Sequence, residues 1–213
     1  MFNKEKYREI NDFLQKNHKK SQIIAVSKNH PKESVISALN SGANIFGENR
    51  VMEAKDKFLD LKMDYPKIEL HLTGPLQSNK VKIAVSLFDV FHTLDREKIA
   101  NEFSKHKELL KKKKIFVQVN TGEEKTKSGV LPKDLKDFLS FCIYEKGLNI
   151  FGLMCIPPIN DKPKTHFKLL ETLAKENNLK ELSIGMSNDY IDALENGSNM
   201  IRIGSMIFGE RNN

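Results

Sequence analysis

The stretch "QIIAVSKNHPKESVISALNSGANIFGEN", Gln22 to Asn49, holds an apolar run at Ile23–Val26, a proline at Pro31, an amphipathic segment to Leu39, a glycine at Gly42 and a second apolar run from Ile45. Pro31 is suited to opening a helix and Gly42 to ending one, so the stretch reads as strand, helix, strand. The same alternation runs through the chain. Seven further strands are expected at "NIFGEN", "IELHLTG", "FDVFHTL", "IFVQVN", "IFGLMC", "ELSIGMS" and "NMIRIG", making eight with "IIAVSK". Asp95 is placed to cap the helix after the fourth strand, while Pro132 opens a helix through Phe138 and Pro163 opens another. Gly197 looks like a stop, and residues 3–17 form a leading helix with Ile10, Phe13 and Leu14 on one face. Eight strands separated by helices predict an α/β fold, a single (β/α)8 TIM-type barrel with an extra N-terminal helix occupying residues 1–213 as one domain. An open doubly wound sheet shares this local pattern and is the fold alternative.

Composition sets outer bounds on function. The chain has 213 residues, with 35 basic and 28 acidic side chains for a formal net charge of +7. The lysines are spread over every expected helix rather than gathered on one face, which argues against a nucleic-acid binder. The dense run Lys111–Lys114 precedes an apolar strand and reads as a solvated loop. No apolar run approaches the length of a membrane span, and the charged start "MFNKEKYREINDF" lacks the apolar segment of a signal peptide. Cys142 and Cys155 sit in apolar surroundings without metal-ligand or disulfide spacing, as buried thiols of a reducing compartment would. The expectation is a cytoplasmic protein that touches neither membrane nor nucleic acid and holds no metal.

In a barrel, the loops after the strands share one rim, so the strand ends are where a site is sought. Lys28 has the parity of Ile24 and Val26 and points to the same side, where desolvation would lower its pKa and free the amine for Schiff-base chemistry. The plainer alternative is a lysine that has left the strand and snorkels to solvent. Gly185-Met186-Ser187 and Gly204-Ser205, at the ends of the last two strands, offer backbone N–H groups and hydroxyls suited to a phosphate monoester. N-capping is the competing use of each. Arg202 has the parity of Met200 and Gly204 and should point inward, either in a structural salt bridge with Glu48 or Asp189 or as a donor to a ligand.

The blocks "AVSK", "FGENRVMEAKDK", "ELHLTGPLQSNK", "GLMCIPP", "LSIGMSNDYIDAL" and "MIRIGSMIFGER", in this order, closely resemble the pyridoxal-phosphate homeostasis proteins, a family similar to the N-terminal barrel of alanine racemase. The resemblance implies a protein that binds pyridoxal 5'-phosphate and acts in intracellular vitamin B6 and amino-acid homeostasis. Lys28 would hold the cofactor as an internal aldimine, Ser187, Gly204 and Ser205 its phosphate, and Arg202 would face the pyridine nitrogen. Asn49 and His71 fall where the family places residues near the ring, although for His71 a backbone-bonded core histidine is an equal reading. Lys127, in the charged loop "EEKTKSG", resembles the family's lysine near the barrel mouth, against the default of a solvated loop. Thr73 and Ser205 depart mildly from the family pattern, and Ser205 keeps the hydroxyl of the usual threonine.

An arginine at the pyridine nitrogen disfavours ring protonation and weakens the electron sink, and the second base that racemisation needs comes, in alanine racemase, from an additional domain for which the sequence shows no counterpart. The expectation is therefore a carrier without catalytic residues, monomeric, with pyridoxal-phosphate-dependent apo-enzymes as recipients. The alternative is a single-domain amino-acid racemase or a Schiff-base lyase of the aldolase kind using Lys28.

Overall fold

The computed structural model describes residues 2–210. The eight expected strands are all present: β1 (Gln22–Val26), β2 (Ile45–Glu48), β3 (Glu69–Leu72), β4 (Val90–Leu94), β5 (Lys114–Gln118), β6 (Ile150–Met154), β7 (Glu181–Met186) and β8 (Met200–Ile203). Every neighbouring pair is parallel and β8 pairs with β1, so the sheet is a closed barrel rather than an open doubly wound sheet. Around it lie α1 (Lys4–Asn17), α2 (Lys32–Leu39), α3 (Val51–Asp64), α4 (Val81–Leu87), α5 (Glu97–Ser104), α6 (Lys107–Leu110), α7 (Leu135–Ser140), α8 (Pro163–Glu176), α9 (Tyr190–Glu195) and the short α10 (Ser205–Phe208).

The strands are apolar on both faces because both are covered. Inside the barrel, Ile24, Val26, Val90, Phe116, Met154 and Met200 form one cluster, and the outward residues join a second, larger one with the helices. The leading helix starts at Asn3, whose side chain accepts from the Lys6 N–H at 2.9 Å, and it buries Ile10 and Leu14. It is tied to the barrel seam through the Asn3 N–H, which donates to the Ile207 carbonyl at 2.6 Å, and through Phe2 against Phe208.

Three local expectations change. Strand β1 stops at Val26, and Lys28 sits in the following turn, where Asn29 adopts a positive φ of 62° and the His30 N–H returns to the Ser27 carbonyl at 3.1 Å. Asp95 does not cap α5; it pairs with Arg96, the residue at the cap position, while Arg96 also donates to the Leu76 carbonyl. Of the basic run, Lys113 donates to the carbonyls of Val85 and Phe88 and Lys114 lies over the Phe151 ring, so half of it serves the fold.

Gly185 shows how closely a helix must approach to deliver a loop to the rim. Its φ is +92°, and a Cβ there would lie 2.5 Å from the Ala193 Cβ of α9, whereas Gly42, with φ +94°, has open space around it. Both positions carry the backbone strain of a positive φ, but only Gly185 adds a collision. Gly42→Ala should therefore cost about 1 kcal/mol and Gly185→Ala at least about 2 kcal/mol more, to be read by urea unfolding at neutral pH. Equal losses would show that α9 can back away.

Candidate functional site

The C-terminal rim of the barrel opens on a cavity of about 540 Å³. Its wall includes Lys28, Asn49, Ser187, Arg202, Gly204 and Ser205, six of the seven residues expected to contact a cofactor, together with Lys127 from the loop after β5. The wall also includes Thr73, Asp189 and the apolar Ile156-Pro157-Pro158 segment, named in the sequence for other reasons, and His30 and Asp161, which the sequence reading does not single out.

Lys28 borders the cavity beside Val26, and its turn is fixed from outside the barrel. The Lys57 ammonium of α3, almost fully buried, reaches the Ser27 carbonyl at 2.8 Å, the Glu48 carboxylate at 2.8 Å and Glu53 at 3.1 Å. Glu48 also accepts from the Ser27 hydroxyl at 2.7 Å, and Glu53 accepts from the Asn29 N–H. Burial holds the Glu48 carboxyl above its ordinary value against the pull of Lys57 and Ser27. Glu48 is thus occupied on the outer face of β2, and the suggested salt bridge between it and Arg202 does not form.

Arg202 is buried and donates instead to neutral oxygens: the Ser183 carbonyl at 2.6 Å, the Ser183 hydroxyl at 2.9 Å and the Cys155 carbonyl at 3.0 Å. A guanidinium has five N–H donors, so these three bonds leave donor capacity on a group that lines the cavity. Asp189, the other suggested partner, turns its carboxylate to the Met186 N–H at 2.6 Å and shapes the loop that carries Ser187. The Ser187 and Ser205 hydroxyls come within 3.3 Å of one another, joining the ends of β7 and β8. Asn49 is held by the Thr73 hydroxyl, 3.0 Å away, and by the close passage of Gly74, where a Cβ would lie 2.4 Å from the Asn49 carbonyl oxygen.

His71 stands apart from the other six. It points into the barrel as its parity requires, but it lies below the cavity wall, opposite Gly47 in the ladder, with one ring nitrogen 2.8 Å from His92 and the other 2.8 Å from Glu69. Thr73, two residues further along the same face, is the one that lines the cavity. Both cysteines are buried, and burial pushes each thiol up to about 12. Among the described residues, no group of His, Cys, Asp or Glu is arranged to hold a metal ion, and no helix is long and apolar enough to cross a membrane.

The sequence profile of the alanine racemase N-terminal domain matches residues 4–212, which sets the class of this barrel and its rim. The chain belongs to that family and, within it, to the pyridoxal phosphate homeostasis proteins. The protein of that name from Vibrio cholerae is 37% identical over 201 residues, 89% of this chain and 85% of the relative, and the one from Buchnera aphidicola is 40% identical over 94% of this chain and 93% of the relative. Among solved structures, PipY of Synechococcus elongatus with pyridoxal phosphate bound superposes with a TM-score of 0.85 at 32% identity, covering 97% of this chain and 99% of that one.

The pair His71 and His92 has a measurable consequence. Burial lowers the pKa of both, well below the usual value for His92, whose neighbours His71 and Arg202 act in the same direction. A base whose folded pKa is depressed gives stability that is present above its unfolded pKa and lost as pH falls through and below it. Below about pH 6.5 each imidazole should lower stability as the pH falls, by at most about 1.4 kcal/mol per pH unit, until its own folded pKa is reached. Urea unfolding at pH 7, 6 and 5 should show a slope in His92→Gln that is shallower than wild type by one imidazole's share. An unchanged slope would mean that His92 is charged in the folded protein.

Proposed function

We propose that the protein binds pyridoxal 5'-phosphate in the rim cavity, with Lys28 as the covalent anchor for its aldehyde, and buffers and delivers the cofactor in the cytoplasm. The single observation that carries this reading is the convergence, on one cavity, of an amine, a buried guanidinium and a pair of hydroxyls drawn from opposite ends of the chain. The fit follows from the donor set. Ser187, Ser205 and Gly204 supply hydroxyl and backbone donors for a phosphate, Arg202 supplies N–H groups for the ring nitrogen, and Asn49 borders the ring. Lys127 stands at the mouth as a second amine. Bound there, the cofactor would supply an aldehyde reactive toward amines. Arg202, a donor that does not give up its proton, would keep the ring nitrogen unprotonated and so limit the electron sink on which turnover depends.

Delivery to pyridoxal-phosphate-dependent apo-enzymes, and a monomeric state, belong to the same proposal. An open cavity mouth with a second lysine suits a protein that must release what it holds. The names of the relatives, homeostasis proteins rather than enzymes, support the carrier reading over the racemase or lyase.

Lys28→Ala should abolish the borohydride-reducible bond and the visible band that accompanies it, while equilibrium dialysis still finds weakened binding through the phosphate contacts. A reducible bond at full occupancy in the variant would transfer the anchor to another lysine, with Lys127 tested first. Ser187→Ala and Ser205→Ala should each weaken pyridoxal 5'-phosphate by about 1.5–3 kcal/mol, the worth of a hydrogen bond to a charged group, and leave pyridoxal nearly unaffected. Equal losses for the two ligands would remove the phosphate from this end of the cavity.

A further inference from the structure

Arg202 is a buried cation whose direct partners are all neutral, and an unpaired buried charge is costly. Asp189 acts on it through space without a hydrogen bond to it, and a second carboxylate reaches it through hydrogen bonds from the other end of the barrel. The Ser183 hydroxyl that accepts from Arg202 lies 2.9 Å from His92 Nδ1, His92 Nε2 lies 2.8 Å from His71 Nδ1, and His71 Nε2 lies 2.8 Å from the Glu69 carboxylate at the start of β3. The rings are fixed by their neighbours: His71 meets His92 edge to edge with centroids 5.1 Å apart, and His92 stacks on Phe116 at 4.9 Å and 6° between planes. Ser183, His71 and His92 are all fully buried, whereas the Glu69 side chain is about a third exposed at the far rim.

The chain has one consistent direction. A carboxylate only accepts, so His71 must carry its proton on Nε2 and accept at Nδ1. His92 must then donate from Nε2 and accept at Nδ1, and the Ser183 hydroxyl must donate to it. That leaves the oxygen lone pairs of Ser183 facing Arg202, which can only donate. Each neutral imidazole has one donor and one acceptor, so Glu69 sets the orientation of every group up to the guanidinium.

We propose that Glu69, His71, His92 and Ser183 are positioning residues: a one-way hydrogen-bond chain along the barrel axis that joins Arg202 to a distant carboxylate and holds its guanidinium against the cofactor's ring nitrogen. The proposal rests on the reading that Arg202 faces that nitrogen. An amide in place of Glu69 could donate as well as accept. It would allow the two imidazoles to take the opposite tautomers, turn His92 into a donor to Ser183 and free the hydroxyl proton on the side of Arg202.

Two measurements test this on the full chain. Nitrogen-15 chemical shifts of the imidazoles should show His71 and His92 both protonated on Nε2; an Nδ1–H form at either would overturn the one-way chain without reference to any ligand. The second compares binding of pyridoxal 5'-phosphate with its 1-deaza analogue, in which C–H replaces the ring nitrogen, in wild type, Glu69→Gln and Ser183→Ala. Wild type should prefer the nitrogen-containing ligand. Both variants should lose that preference by about fivefold, the worth of one hydrogen bond, and bind the deaza analogue as wild type does. No preference in wild type would sink the placement of Arg202 at the ring nitrogen and the proposal with it. A preference kept in both variants, or an equal loss for both ligands, would overturn the positioning role and leave that placement standing.

Discussion

Closure of the sheet between β8 and β1 is the constraint on which the site depends. In that ladder Ile24 lies opposite Arg202 and Ala25 opposite Ile203, so the turn carrying Lys28 and the turn carrying Gly204 and Ser205 leave the barrel side by side although some 175 residues separate them in sequence. The pairing of β7 with β8, in which Met186 lies opposite Arg202, adds Ser187 on the other flank. Parallel strands send all of these ends to the same rim. One register therefore fixes the mutual placement of amine, guanidinium and hydroxyls, and a slip of β8 by a single residue would turn Arg202 outward, away from the turn that carries Lys28.

The interior beneath the rim is not uniformly apolar. Val26, Phe116, Met154 and Met200 fill most of the cross-section, yet His71, His92, Ser183 and Arg202 share that space. Polar groups at this depth persist only when their hydrogen bonds are met, and the rings supply both the bonds and the packing. The same dry surroundings that keep the imidazoles neutral strengthen each bond in the series, because little water competes for the donors.

Alternating apolar runs and proline-opened helices are enough to place all eight strands and the leading helix from sequence, since each signal is local. What they leave open is depth. Parity sends His71 inward correctly, but only the ladder, with His71 opposite Gly47, shows that it stops one layer short of the cavity that Thr73 reaches. Parity also argues against Glu48 as a partner of Arg202, because its neighbour Gly47 faces the interior, where a Cβ would meet Ile24 and Val26, and so Glu48 must face α3. Asp189 is a carboxylate within electrostatic reach of Arg202, but its oxygen accepts from the backbone N–H three residues before it. His30 and Asp161 carry no such signal because they lie beyond the strand ends, in loops whose path no periodicity describes.

The block "FGENRVMEAKDK" gains a physical reason from this arrangement. Glu53 and Lys57 stand four residues apart on α3, one turn of helix, which brings both to the side that faces β1 and β2. Lys57 neutralises Glu48, which the outward parity of β2 buries against the helix, and with its remaining donors it grips the Ser27 carbonyl, while Glu53 takes the Asn29 N–H. The backbone on both sides of Lys28 is thereby tied to one buried charge cluster. Asn29 can hold a positive φ there because its N–H is bonded in that conformation. A long lysine side chain loses much rotamer freedom when it must meet one aldehyde, and a turn that is already immobile leaves only the side chain to be ordered. The charges of Glu48, Glu53 and Lys57 therefore hold the turn that carries Lys28.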